Sequence, residues 1–320
     1  MHLHQRAALV VAQEGIIGLV RRTARKVLPR NRSATGTAQR SKEDPRIAQA
    51  RAEYERLWTR FRQQVSRLGR EELLDYYWYH TVDLGGGLVT PGDYDYRGQL
   101  DQFGFPEDMR GYKVLDVGSA TGFFAFEFEK RGAAVVSVEL PSLSAWDMMP
   151  GEAEPCVRAL MAMHHAATPE KAYHRHLDGP FLFCKERLGS QVKRCYASIY
   201  ELTPERLGEE TFDLVFVGDV LLHTFAPLKA LATIAPFCTG RLVIAQNIEK
   251  VAERRPIMVY KGGAEPGAGG GRSWWLFNRL ALEQMLLRLG FKQVVKVGDK
   301  AGIVRRAWQP YTQSVFHAIR

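Results

Sequence analysis

The chain has 320 residues, 46% of them hydrophobic, and a formal net charge of +9. That is enough apolar material for a substantial core, and no apolar run approaches the ~20 residues that cross a bilayer. Residues 1–70 carry +11 and the other 250 carry −2, so the basic pI belongs to the N-terminal end and argues little for nucleic acid on the body.

Residues 1–44 read as a basic arm and linker. Leu9, Val10, Ile16, Ile17, Leu19, Val20 and Val27 are followed or interleaved by Arg21, Arg22, Arg25, Lys26 and Arg30. This pattern fits a basic amphipathic helix for an anionic membrane or RNA, or else a solvated arm. Gln13 and Glu14 interrupt the apolar stretch and the basic cluster follows it, which argues against a signal peptide. Asn31 to Lys42 is rich in Ser, Thr, Gly and Arg and reads as linker. From Pro45 onward Ile47, Tyr54, Leu57, Trp58, Phe61, Val65 and Leu68 recur every three or four residues. A long helix packed on the body is expected there.

The rest of the chain alternates strands and helices in the manner of an α/β doubly wound sheet. Strands are predicted at Val114–Val117, Ala134–Glu139, Val192–Ala197, Phe212–Val217, Arg241–Gln246 and Phe291–Val297, with a last strand from Ile303 to about Ile319. Helices are predicted at Phe123–Arg131, Pro227–Ala235 and Arg279–Leu289. Too many residues separate the second and third strands for one crossover helix. Residues 141–190 are therefore an insertion, and insertions at this face commonly shape a pocket. Within it His164, His165, His174 and His176 lie near Asp147, Glu152 and Glu154 in sequence, a set that includes metal-ligand types. Scattered, solvated histidines are the commoner case, so no metal is assigned. Trp146, Met148, Met149, Met161 and Met163 suit an apolar pocket or ordinary core. Gly262–Gly271, ahead of Trp274 and Trp275, suits a lid. Cys156, Cys184, Cys195 and Cys238 lack metal-like spacing and fit thiols of a reducing, cytoplasmic setting.

The first predicted strand runs into Asp116-Val117-Gly118-Ser119-Ala120-Thr121-Gly122, and the second ends in Glu139. In open parallel sheets ligands sit beyond the carboxyl ends of the strands. Small residues admit a ligand close to the backbone, and a carboxylate at the second strand tip suits a ribose diol. A dinucleotide fingerprint would place glycines around a pyrophosphate, where Asp116 would be repulsive. Beside the ammonium of a methionine moiety it is attractive. The stretch resembles the first motif of the S-adenosylmethionine (SAM) methyltransferases, Asp-x-Gly-x-x-x-Gly.

A wider resemblance runs from about Tyr76 to Val297. It is carried by Trp78-Tyr79-His80-Thr81-Val82-Asp83-Leu84, Thr90-Pro91-Gly92, Phe105-Pro106-Glu107-Asp108 and Phe123-Phe124-Ala125-Phe126-Glu127. Further matches are Ser198-Ile199-Tyr200-Glu201-Leu202, Gly218-Asp219-Val220-Leu221-Leu222-His223, Trp274-Trp275 and Asn278. With these the chain resembles the DUF1698-type class I SAM-dependent methyltransferases, similar to the tRNA wobble-uridine (mo5U34) enzymes. The resemblance implies a Rossmann-like body over 111–320, with residues 45–110 as a helical extension and a segment covering the cofactor. It implies Asp116, Gly118, Ala120 and Gly122 at the methionine end of SAM, and Glu139 and Leu140 at the ribose. Ile199 and Tyr200 would flank the adenine, and Val217 and Gly218 would close the floor. Family members that use carboxylated SAM have a tyrosine where this chain has Leu222, which favours ordinary SAM and methyl transfer. His223, after the fourth strand, is the first candidate general base and His80 the second; a structural histidine bonded to a carbonyl is the alternative for each.

Three functions follow from these readings. One is methyl transfer to a hydroxyl or amine of a small-molecule, lipid or glycan acceptor. The second is tRNA wobble-uridine modification guided by the arm, and the third is a non-catalytic SAM-binding module. The neutral body and Leu222 favour the first.

Overall fold

The computed structural model describes residues 44–250, 254–265 and 272–320. The expected amphipathic arm helix and linker, and Pro266–Gly271 of the glycine-rich stretch, lie outside them. Five strands are parallel: β1 (Lys113–Val117), β2 (Ala134–Glu139), β3 (Lys193–Tyr196), β4 (Phe212–Gly218) and β5 (Cys238–Gln246). A small hairpin, β6 (Met258–Tyr260) and β7 (Trp275–Phe277), follows. The chain ends in a long hairpin, β8 (Gln293–Val304) and β9 (Gln309–Ile319), which joins β5 antiparallel. The seven-stranded order is β3-β2-β1-β4-β5-β9-β8, a doubly wound α/β sheet. Its strand order reverses between β1 and β4, and such a switch point opens a crevice at the carboxyl ends.

Both faces are covered, as a parallel sheet requires. On one face α1 (Pro45–Leu68) and α2 (Phe123–Lys130) pack with residues 73–109 around Phe61, Val65, Trp78, Phe124 and Phe216. The other face carries Val117, Val217, Leu231, Ile244, Leu282 and Phe316. Helix α1 begins where the sequence says it should. The Asp44 side chain accepts from the Arg46 amide at 2.9 Å, Pro45 opens the helix, and Gly69 closes it at φ 62°; these are the standard start and stop devices. Its apolar stripe docks through edge-on rings, Trp58 on Phe61 at 5.9 Å and Phe61 on Trp78 at 5.3 Å.

The insertion is helical: α3 (Ala153–Met163), α4 (Pro169–Tyr173), a π-turn over His174–Asp178, and α5 (Gly179–Leu188). Phe181, Phe183 and Cys184 of α5 are buried in the first core. So α5 is the crossover helix into β3, and only the part before it is extra. Short α6 (Pro204–Leu207) precedes β4, α7 (Pro227–Ile234) precedes β5, and α8 (Arg279–Arg288) precedes β8. The expected single strand from Ile303 to Ile319 is corrected. Ile303 and Val304 end β8, residues 305–308 turn with Trp308 at φ 55°, and β9 begins at Gln309. The sixth strand correspondingly runs past Val297, through a register shift between Lys296 and Gly298. Among the described residues no helix is long and apolar enough to cross a membrane.

Candidate functional site

The loop after β1 is shaped by backbone constraints before any ligand is considered. Gly118 and Ser119 donate to the Val138 carbonyl at 2.9 and 3.2 Å, which pins the turn against β2. Gly118 sits at φ 72°, and a Cβ there would lie 2.4 Å from Val220 Cγ2; only glycine fits. Ala120 is also left-handed, at φ 48°. Glu139, at the tip of β2, accepts from the Ala120 amide at 2.8 Å and from the Leu140 amide at 2.9 Å. Each oxygen then keeps a lone pair for a further donor. Arg194, on β3, braces the loop from outside. It donates to Ser119 Oγ at 2.6 Å, Ser137 Oγ at 3.1 Å and the Ala120 carbonyl at 3.1 Å, with its guanidinium 4.0 Å over Phe181.

Above this loop lies a cavity of about 660 Å³. It gathers residues that are far apart in sequence: His80, Asp116, Gly118, Ala120, Glu139, Leu140, Ile199, Tyr200, Gly218 and His223 all line it. Two of the expected contacts lie off its wall. Val217 faces the opposite side of the sheet in the second core, while Phe216 and Gly218 reach the cavity, as strand alternation dictates. Gly122 heads α2 at φ 89°, where a Cβ would approach Phe181 and Phe126 within 2.6–2.7 Å; its smallness serves packing.

Asp116 is the most exacting group in the cavity. It is 1% exposed, and its Oδ2 has no hydrogen-bond partner among the described residues. Desolvation pushes its pKa up to about 7, Arg194 opposing and Glu139 reinforcing. The Ala125 amide lowers the pKa a little, but a buried carboxylate with one oxygen unpaired is costly, and a cation from solution would relieve it. On the far wall the Tyr200 hydroxyl donates to the Asp147 carboxylate and accepts from the Ala226 amide at 3.1 Å. Asp147 also accepts from the Phe225 amide at 2.6 Å. The Tyr200 ring is thus fixed beside Ile199, and burial raises its hydroxyl to about 12.

The two candidate bases differ in support. His223 lines the cavity, keeping part of its side chain open to solvent, and desolvation there pushes its pKa down to about 4. Its Nδ1 lies 2.7 Å from the Arg272 carbonyl. A carbonyl only accepts, so Nδ1 carries the proton and the neutral ring presents Nε2 as a bare lone pair. His80 is 4% exposed among Tyr79, Tyr96, Phe123 and Phe124, with its pKa pushed down by burial to about 3 and Nδ1 without a partner among the described residues. No described residue fixes its tautomer from the Nδ1 side. Leu222, 9% exposed, also lines the wall.

The insertion histidines do not converge. His164 and His176 hydrogen-bond each other at 3.0 Å, while His174 meets the Tyr76 hydroxyl at 3.2 Å. No group of three or more His, Cys, Asp or Glu side chains suited to a metal ion occurs among the described residues. Trp146 and Met163 line the cavity; Met161 packs in a small core with Leu143 and Leu160, and Met149 is exposed. Trp274 ties the insertion down by donating to the Asp147 carbonyl at 3.0 Å. Arg194, Asp147 and Arg272 escape a motif reading because each acts through an element distant in sequence. The one visible signal is a charged residue, Arg194, inside a strand of a parallel sheet.

No protein-family model matches the chain, and no curated protein does. Solved structures resemble it at low identity. The N-terminal domain of EvdMO1, crystallised with SAH and D-fucose, is 15% identical with a TM-score of 0.47, covering 80% of this chain and 97% of that one. Magnesium protoporphyrin IX methyltransferase from Synechocystis, with bound SAM, is 15% identical with a TM-score of 0.40, covering 66% and 71%. The 1,6-didemethyltoxoflavin N1-methyltransferase of Burkholderia thailandensis is 19% identical with a TM-score of 0.39, covering 66% and 72%. What the cavity takes is set by its own residues.

Proposed function

We propose that this chain is a SAM-dependent methyltransferase acting on a hydroxyl or amine of a small-molecule, lipid or glycan acceptor. The observation that carries the reading is the pairing of two carboxylates at adjacent parallel strand tips in one cavity. Glu139 holds the loop and keeps acceptor capacity for a ribose diol. Asp116 is buried with an unpartnered oxygen that suits an ammonium. Gly118, with no room for a Cβ, lets the backbone approach the ligand, and Ile199 and Tyr200 offer a wall for adenine. Bound here, SAM supplies a methyl group already made electrophilic by its sulfonium.

The protein's part is then positioning and proton removal. Holding the acceptor in line with the methyl is worth ~7–11 kcal/mol of barrier. His223 Nε2, its tautomer fixed by the Arg272 carbonyl, takes the acceptor's proton, a contribution of ~10²–10⁴-fold. Leu222 on the wall offers a carboxylate no hydrogen bond, which supports ordinary SAM over its carboxylated form. The experiment is to incubate purified protein and methyl-labelled SAM with cell extract. The label is expected in one or a few small molecules, with S-adenosylhomocysteine (SAH) released. Label confined to tRNA would replace this reading with wobble-uridine modification. SAM binding without any transfer would leave a binding module.

A further inference from the structure

Arg272 has no carboxylate partner among the described residues. Its guanidinium lies 3.7 Å over the Trp146 ring, and the polar contact it makes is with Cys156 Sγ at 4.0 Å. Other interior arginines are matched: Arg305 meets Asp95 at 2.9 Å, and Arg194 meets two serines and a carbonyl. The nearby Asp147 carboxylate is already engaged by Tyr200 and Phe225. A second guanidinium, Arg306 on the β8–β9 turn, lies 4.4 Å over Tyr77 and 3.4 Å from Asp93. Asp93 is itself shared with the Tyr77 hydroxyl at 2.8 Å.

One row of rings connects the two guanidiniums. Tyr77 stacks on His176 at 4.6 Å, and His176 meets Trp146 edge-on at 5.9 Å. Arg306 and Arg272 therefore cap the two ends of a single aromatic wall, and both line the same cavity. Burial keeps His176 neutral in the first place, and both guanidinium charges act in the same direction. Aromatic faces fix guanidinium planes while leaving their edges free to bond, and a planar fork matches a carboxylate or phosphate. Arg272 also supplies the carbonyl that orients His223, so the residue that forms this seat is joined to the candidate base by a hydrogen bond.

We infer that Arg272, assisted by Arg306, seats an anionic group, carboxylate or phosphate, carried by a small-molecule acceptor. The seat determines specificity: it anchors the acid end and leaves the reacting hydroxyl or amine toward His223. That the ligand is the acceptor rests on the methyl-transfer reading; that the cavity binds an anion does not.

The test is calorimetric titration of the full chain, with and without saturating SAH, using inorganic phosphate, benzoate and the neutral isostere benzamide. Phosphate or benzoate is expected to bind and benzamide not, the better of the two identifying the acid. Arg272→Gln is expected to weaken that anion by about tenfold or more, Arg272→Lys by less, and SAH by no more than about twofold. Arg306→Gln, with its own thermal melt, provides a second route if the first variant is misfolded. Wild-type protein that binds neither anion, or binds benzamide equally, overturns the inference, as does an unchanged Arg272→Gln. If Arg272→Gln weakens carboxylated SAM but neither probe, the guanidinium serves the cofactor and the inference falls. If SAH does not bind but the anions do, through Arg272, the seat stands and the methyl-transfer reading fails.

Discussion

Binding of SAM is expected to drive a proton off Asp116. The fold holds this carboxyl with a pKa of about 7, well above the ordinary 3.8, chiefly through desolvation. That difference corresponds to about 4 kcal/mol against the charged form. An ammonium placed beside it reverses the preference. At pH 6 the free site is about nine-tenths protonated and at pH 8 about one-tenth, so binding releases up to about 0.9 proton at pH 6 and about 0.1 at pH 8. Affinity should climb about tenfold per pH unit below 7 and level off above it. Calorimetry in buffers of different ionisation enthalpy counts the protons directly. The same group opposes folding. Its raised pKa means the folded chain keeps a proton that the unfolded chain loses, so stability falls as pH rises from about 4 to about 7 and stays lowered above. Asp116→Asn should therefore be the more stable protein at pH 8 and the weaker binder, with no pH-linked proton release from this position. Asp219, raised by burial to about 6, still titrates in that variant, which separates the two acids. Proton release at pH 6 that is absent in the wild type, or unchanged in Asp116→Asn, would refute the placement of a cation at Asp116.

Replacing His223 by Gln should lower kcat by ~10²–10⁴-fold at pH 7 with SAM affinity unchanged. Because the ring is held near pKa 4, wild-type kcat should lose this base only as pH falls toward 4; a decline centred near 6.5 contradicts the assignment. Competition binding should favour SAM over carboxylated SAM, given Leu222 on the wall, and tighter binding of the carboxylated form would revive the wobble-uridine reading. Deleting residues 1–42 removes nine Lys or Arg and one Glu but spares α1, whose Phe61 and Val65 are buried. The truncated protein should fold and bind SAM as before, while any salt-sensitive binding of the full chain to anionic vesicles or RNA falls. Collapse of SAM affinity on truncation would place the arm inside the catalytic fold.

Period and turn chemistry made much of this fold legible. Val114–Val117, Ala134–Glu139 and Phe212–Val217 are short apolar runs ended by small or acidic residues, and each is a strand within a residue or so. The Asp44 cap and Pro45 mark the start of α1 to the residue. The β8–β9 turn was not legible because Arg305 to Trp308 contains neither Gly nor Pro. The end of the insertion is hidden in the sequence because α5 carries two aromatics and a cysteine that serve the sheet, not the pocket. At the site, strand-tip residues such as Asp116, Gly118 and Glu139 follow from topology alone. Gly122 fits the glycine spacing but answers to Phe181 and Phe126, which sequence distance conceals. The same distance hides Asp147 behind Tyr200 and Arg272 behind His223.

The most direct measurement is a crystal structure of the full chain soaked or grown with SAH. The account predicts the ribose diol on Glu139, the amino group within hydrogen-bond reach of Asp116, and the adenine between Ile199 and Tyr200, with the sulfur directed toward His223. A ligand bound away from the tips of β1 and β2, or a cavity that stays empty at saturating SAH, would contradict it.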